Sequence, residues 1–230
     1  ASAREREILS AYPVAVRPDI LAGEWAPPMG DGSGRDRTNM RKALALFQEA
    51  GYEIRGGKLV NAETGAPFAF EILVGTREDE RLALAFRRLV QPLGIDIQVR
   101  TVDAAQYQAR LQTFDFDVIK AIWPSSLSPG NEQLFRWSAA AADAQGSYNF
   151  TGAKDPAIDG TIDAMLAARS REDFVDAVRA FDRVLLSGFY VLPLYHSPEQ
   201  WIARWTRIRH PEDPSLTGAE PETWWAQSAD

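Results

Sequence analysis

The sequence predicts an α/β lobe, a mixed sheet flanked by helices with a three-layer tendency, and three observations predict it. Two apolar strands, "FAFEILVG" (68–75) and "IDIQVRTV" (95–102), bracket the amphipathic "REDERLALAFRRLVQPLG" (77–94), the spacing of a β-α-β crossover. A third run, "FDFDVIKAIW" (114–123), alternates apolar and charged residues as a strand does. Two helical patterns then adjoin, "DPAIDGTIDAMLAA" (155–168) and "REDFVDAVRAFDRVLLSG" (171–188), and read as an antiparallel pair.

Each element has a local reason. Residues 1–36, rich in Pro and Gly and without a sustained period, read as an extended connector, with "DGSGRD" a solvated linker. Order begins at Thr38 or Asn39, a candidate N-cap for a helix whose apolar face is Leu44, Leu46, Phe47 and Ala50 and whose C′ residue is Gly51. "YEIRGGKLVNAETGAPF" reads as a hairpin with turns at "RGGK" and "ETGAP". In the helix over 77–94, Leu82, Leu84, Phe86 and Leu89 face a core, and early acids with late arginines suit its macrodipole. "AAQYQARLQ" supplies a further helix. "FYVLPLYHS" (189–197) reads as a last strand, placed at an edge because Pro193 has no ladder donor. The Trp- and Pro-rich 197–230 shows few signs of folding alone, and the α/β lobe proper spans 37–196.

Composition narrows the function. With 230 residues, 45% hydrophobic and 25% charged, the chain has the make-up of an ordinary globular protein with a substantial core. The formal charge of −7 argues against nucleic acid or anionic lipid as main partner. The absence of cysteine excludes disulfides, thiolate metal sites and Cys nucleophiles. A chain with no initiating Met and no signal peptide reads as a mature form or an excised piece. Two histidines fourteen residues apart, His196 and His210, do not make a zinc site. No G-x-S-x-G elbow, phosphate loop or dinucleotide fingerprint is present. Carboxylate runs such as "REDE" read as solvated helix faces, and the sequon at Asn149 as a chance match. Asp115 and Asp117 share a strand face without promising a converging acid pair, so the chain reads as a non-enzyme.

The loop "IWPSSLSPGNEQ" (122–133) is the candidate site. Ligands of α/β sheets settle outside the carboxyl ends of strands, and Trp123 stands at such an end. Its indole would supply a flat apolar wall with one donor. Ser125, Ser126, Ser128, Asn131 and Glu132 would add polar groups, the mixture that describes a small-molecule or peptide pocket. A structural loop capped by a buried Trp is the other reading of the same residues.

The order of elements carries a resemblance. "MRKALALFQEAGY", "LGIDIQV", "FDFDVIKAIW", the segment "SPGNEQLFRWSAAAADAQGSYNFTGAKDPAID", "FYVLPLYH" and the terminal "PETWW" resemble the C-terminal lobe of the family 5 extracellular solute-binding proteins. These are the peptide- and nickel-type receptors of ABC importers, and the likeness is closest to a branch associated with oligopeptides and microcin-C-like peptide conjugates. The resemblance spans about residues 37–230. It implies a periplasmic binding protein type II-like lobe whose N-terminal lobe is absent. Residues 1–36 would be the crossing from that lobe, and 197–230 the return to it. It also implies a bacterial, exported, periplasmic monomer that captures peptides or peptide-like solutes for ABC permease subunits, with no metal or organic cofactor.

In oligopeptide receptors of this family a basic residue, a Trp and an Asp follow at intervals of three, the Asp pairing with the ligand's amino terminus. The matching positions here are Lys120, Trp123 and Ser126. Ser126 lacks the carboxylate, and an unpaired buried ammonium costs roughly several kcal/mol. A free amino terminus would therefore need another acid, such as Glu132, or the ligand has none. Asn149, in the family's Asn-x-x-Gly region, either braces its loop or touches ligand. A receptor-like sensing module and a peptide or glycan hydrolase are the rival classes.

Overall fold

The structure is a computed structural model that describes residues 1–123, 128–195, 199–213, 215–216 and 218–227. The chain divides into two compact units, Ala1–Pro124 with Gly130–Tyr190, and Ser125–Pro129 with Val191–Asp230. The first unit holds the predicted α/β topology.

Helix α3 (Arg37–Glu49) is capped by Asp36, whose carboxylate accepts from the backbone N–H groups of Thr38 and Asn39. The cap therefore lies two to three residues before the predicted one, because an aspartate there reaches both orphan donors. Leu44 and Phe47 are half-buried, whereas Leu46 is 64% exposed and Ala50 is exposed too, which corrects the predicted face. Strands β1 (Tyr52–Arg55) and β2 (Lys58–Asn61) pair antiparallel across Gly56 and Gly57, both at positive φ, the backbone that a two-residue hairpin turn demands. Phe47, Tyr52, Phe68 and Phe70 form an edge-on aromatic chain that packs α3 on this hairpin.

The central sheet has strand order β4-β3-β5 and is parallel throughout, and the antiparallel pairing among the described residues lies outside it. Strand β3 (Ala69–Val74) pairs with β4 (Asp96–Thr101) over six residues and with β5 (Val118–Ile119) over two. Helix α4 (Arg77–Val90) crosses between β3 and β4 and buries Ala83 against Ile72, Val74 and Ile97, with Phe86 and Val90 alongside. Leu89 is 49% exposed and leaves the predicted apolar face. A single 3₁₀ turn, Gln91–Leu93, ends in Gly94. Gly94 sits at φ 76°, and a Cβ there would lie 2.6 Å from the backbone nitrogen of Leu59. Gly94→Ala is expected to destabilise the protein by about 1–3 kcal/mol, read by urea unfolding, since neither the backbone conformation nor the neighbour can give way.

Strand β5 is much shorter than the predicted ten-residue run. Phe114 takes a left-handed conformation (φ 55°), and the side chain of Asp117, not its backbone, accepts the N–H of Glu71. Helix α5 (Ala104–Gln112) leads into it. Beyond the loop come α6 (Glu132–Trp137), α7 (Ala139–Ala142), α8 (Pro156–Ala167) and α9 (Arg171–Gly188), the last two being the predicted pair.

The beginning of the chain departs from its prediction. Residues 1–22 are not extended: they form α1 (Ala3–Leu9) and α2 (Pro18–Ala22), which pack on α8 and α9. Leu9, Val16 and Ile20 join Ile158, Ile162, Met165, Phe181 and Val184 in a second apolar cluster. Spaced apolar residues too few for a long helix still make two short ones when a groove is there to bury them. Tyr12 lies against Gly160 so closely that a Cβ there would meet its ring. Residues 26–35 are exposed and without helix or strand.

The predicted strand at 189–197 does not form over its described part. Phe189 closes α9 in a left-handed conformation, and residues 190–195 carry no helix or strand; Pro193 denies that stretch a ladder donor. Its end, with His196, lies outside the described residues. In the second unit, β6 (Ile208–Arg209) and β7 (Trp225–Ala226) make a small antiparallel pair.

Candidate functional site

The parallel pairing brings the carboxyl ends of β3, β4 and β5 to one edge, where Gly75, Val102 and Lys120 follow the strands; the Val102 N–H donates to the Val74 carbonyl at 3.0 Å. This is the edge at which open α/β sheets place ligands.

Lys120 is not directed at open solvent. Its Nζ lies 2.7 Å from Asp79 Oδ1, with the two side chains 30% and 16% exposed. Asp79 belongs to the first turn of α4, and its Oδ2 accepts from the hydroxyl of the cap residue Thr76 at 2.8 Å. Burial pushes the Asp79 carboxyl up, but hydrogen bonds from Lys120 and Thr76 and the lysine charge outweigh it and hold the group below its usual range. Tyr107 of α5 packs its ring over Gly75, where a Cβ would stand 3.0 Å from Cγ, and burial and the neighbouring Asp79 charge raise its hydroxyl pKa.

Trp123 is half-buried. Its ring stands 5.3 Å from that of Trp137 and packs on the helical cluster; Trp137 in turn meets Tyr190 at 6.1 Å. The Trp123 Nε1 is buried and has no hydrogen-bond partner among the described residues, so the donor predicted for ligand faces inward. What the indole offers outward is carbon surface.

Glu132 closes its own turn: Oε1 accepts from Gly130 N–H at 3.0 Å and from Gln133 Nε2 at 3.1 Å. The backbone N–H groups of Glu132 and Gly130 hold its carboxyl below the usual range. The carboxylate is thereby already engaged in the turn that begins α6, which weighs against its place as a substitute counter-ion for a ligand ammonium. Asn131 is exposed at the amino end of α6, its carbonyl accepting from Leu134. Ser128 is exposed and belongs to the second unit. Ser125 and Ser126 lie outside the described residues.

Asn149 resolves as the brace. It is fully buried; Nδ2 donates to the carbonyls of Ser138 (3.0 Å) and Ala153 (2.9 Å), while Oδ1 accepts from Thr151 Oγ1 and the Ala153 N–H. A side chain so enclosed, with both its amide nitrogen and its oxygen engaged, favours the brace over a ligand contact.

The sequence reading missed Asp79, Thr76 and Tyr107. "REDE" passed for a solvated face, yet Thr76 three residues before Asp79 is the capping-box spacing and marks a carboxyl drawn back toward a strand end. Asp115 pairs with Arg110 at 3.0 Å and Asp117 holds the Glu71 N–H, so the two acids do not converge on a common point. Among the described residues no group of three His, Asp or Glu side chains is placed to hold a metal ion. No helix of the described residues is long and apolar enough to cross a membrane. Within the second unit, a concavity of about 830 Å³ is lined by Gln200, Arg204, His210, Glu220 and Trp224 among others.

Residues 13–145 match the model of the bacterial extracellular solute-binding proteins, family 5 Middle. A protein of Brucella suis is 54% identical over 228 residues, which are 99% of this chain and 37% of that protein. The peptidoglycan-binding protein YepA of Agrobacterium fabrum is 45% identical over 225 residues, 98% of this chain and 36% of YepA. The chain thus spans little more than a third of the length of these relatives. Among solved structures, the oligopeptide-binding protein AppA of Bacillus subtilis, in complex with a nonapeptide, superposes with a TM-score of 0.64 at 16% identity, covering 98% of this chain and 45% of AppA. That likeness is one of fold, the type II arrangement of periplasmic binding proteins.

Proposed function

Because the chain belongs to the family 5 bacterial extracellular solute-binding proteins, we propose that it is one lobe of an importer's receptor, taking peptides or peptide-like solutes and passing them to a membrane permease. One observation supports this above the others: the family match covers the β4-β3-β5 sheet and its carboxyl edge, where Lys120 and the carbon face of Trp123 stand. The 45% identity to a protein named for binding peptidoglycan adds cell-wall peptides to the candidate ligands. Capture would take place in the periplasm, with closure against the rest of the protein enclosing the ligand. Residues 197–230 would lead back toward that remainder.

Calorimetry of the full-length protein with tri- to pentapeptides tests the reading; a receptor of this kind binds them without turnover, and mass spectrometry of the recovered peptides separates it from a hydrolase. Trp123→Ala is expected to weaken binding by about 1–3 kcal/mol, as truncated aromatic anchors do. Since Trp123 also packs on Trp137, Trp123→Phe should retain stability while still losing part of the affinity. Unchanged affinity in Trp123→Ala removes the indole from the site.

A further inference from the structure

Lys120 and Asp79 lie 41 positions apart in sequence and meet at 2.7 Å on the edge assigned to ligand. Helix capping does not require that meeting. The Asp79 N–H donates to Thr76 Oγ1 at 3.1 Å and Oδ2 accepts from the Thr76 hydroxyl, which closes the Thr76–Asp79 cap at the start of α4 and leaves Oδ1 to reach across to the end of β5. Two opposite charges in contact, each largely withdrawn from water, present little net field to a third group. A ligand carboxylate seated on Lys120 would also lie a few ångströms from Asp79, and the repulsion would offset the attraction. Tyr107, packed over Gly75 and placed to feel both charges, bounds the same corner.

We propose that Asp79 is a specificity-determining residue, turning the Lys120 corner into a subsite of no net charge that accepts an uncharged amide, carbonyl or hydroxyl of the ligand and discriminates against a free carboxylate. The inference rests on the peptide reading above and deepens it. Removing Asp79's charge unmasks the lysine; removing the lysine's charge unmasks Asp79. The two substitutions therefore move selectivity in opposite directions, which a loss of packing alone would not do.

The test is calorimetry on the full-length protein with trialanine as free acid and as carboxyl-terminal amide. Asp79→Asn is expected to raise the acid-to-amide affinity ratio at least tenfold, and adding Lys120→Met is expected to return it to within twofold of wild type. Lys120→Met alone, which leaves the Thr76–Asp79 cap intact, is expected to lower the ratio at least threefold and serves even if Asp79→Asn fails to fold. A ratio that stays within twofold of wild type in the folded variants overturns the inference, as does a gain in Asp79→Asn that survives loss of the lysine. Wild-type protein that binds neither form sinks the peptide reading and this inference together; wild-type binding with an unmoved ratio sinks the inference alone.

Discussion

Arg183→Met is expected to destabilise the protein by about 3–5 kcal/mol, the cost of removing one partner from a buried ion pair. Arg183 Nε lies 2.6 Å from Glu5 Oε2, with the side chains 20% and 3% exposed, and Arg183 Nη1 donates to the Ile20 carbonyl. The guanidinium thus ties both α1 and α2 to α9, and methionine would leave a carboxylate enclosed without a counter-charge. Burial pushes the Glu5 carboxyl up, but the Arg183 hydrogen bond, the backbone bond at the helix cap and the Arg183 charge together hold it below its usual range. A depressed folded pKa contributes stability above the unfolded carboxylate pKa and loses it as pH falls through the folded value. The gap between wild type and variant should accordingly be full at neutral pH and narrow on acidification. Urea unfolding at several pH values reads both, and Glu5→Gln in the Arg183→Met background should recover part of the loss. A gap under about 1 kcal/mol at neutral pH would mean the pair is no better than a surface bridge.

Asn149→Ala is expected to cost a similar amount, about 3–5 kcal/mol. It strands the Ala153 carbonyl and N–H and the Thr151 hydroxyl, and takes one donor from the Ser138 carbonyl, which keeps the Ala141 and Ala142 N–H groups; a buried polar group left unpaired costs about 1–3 kcal/mol. Partial relaxation of the loop keeps the total below the sum. Asn149→Asp should be no better, since it discards both donors and buries a charge. Scanning calorimetry checks the stability. Peptide affinity per folded molecule, measured below the unfolding range, is expected to stay at the wild-type value; a selective loss of affinity would return Asn149 to the binding surface.

Much of this architecture is legible in the sequence because its signals are local. The β1–β2 hairpin follows from two glycines that accept positive φ, and α8 and α9 from helical periodicity. The strand–helix–strand order from β3 to β4 follows from a change of period. Other features needed distant partners. The start of the chain reads as linker because seven- and five-residue helices carry too little pattern, and only the groove beside Gly160 and the Arg183 guanidinium stabilise them. β5 reads as a long strand because alternation persists where pairing does not.

The candidate site divides in the same way. Trp123 and Lys120 are visible as a strand-end pattern, and so is the family they belong to. That the indole's donor turns inward, that Glu132 closes its own turn, that Asn149 is a brace and that Asp79 answers Lys120 are all matters of which group reaches which. The sequence by itself determined the kinds and order of the elements from α3 to α5, the α8–α9 pair and the edge where a ligand would lie, because propensity and periodicity act over a few residues. The tertiary structure alone decided which polar groups are already satisfied, because hydrogen bonds and ion pairs between segments depend on distances that no spacing along the chain encodes.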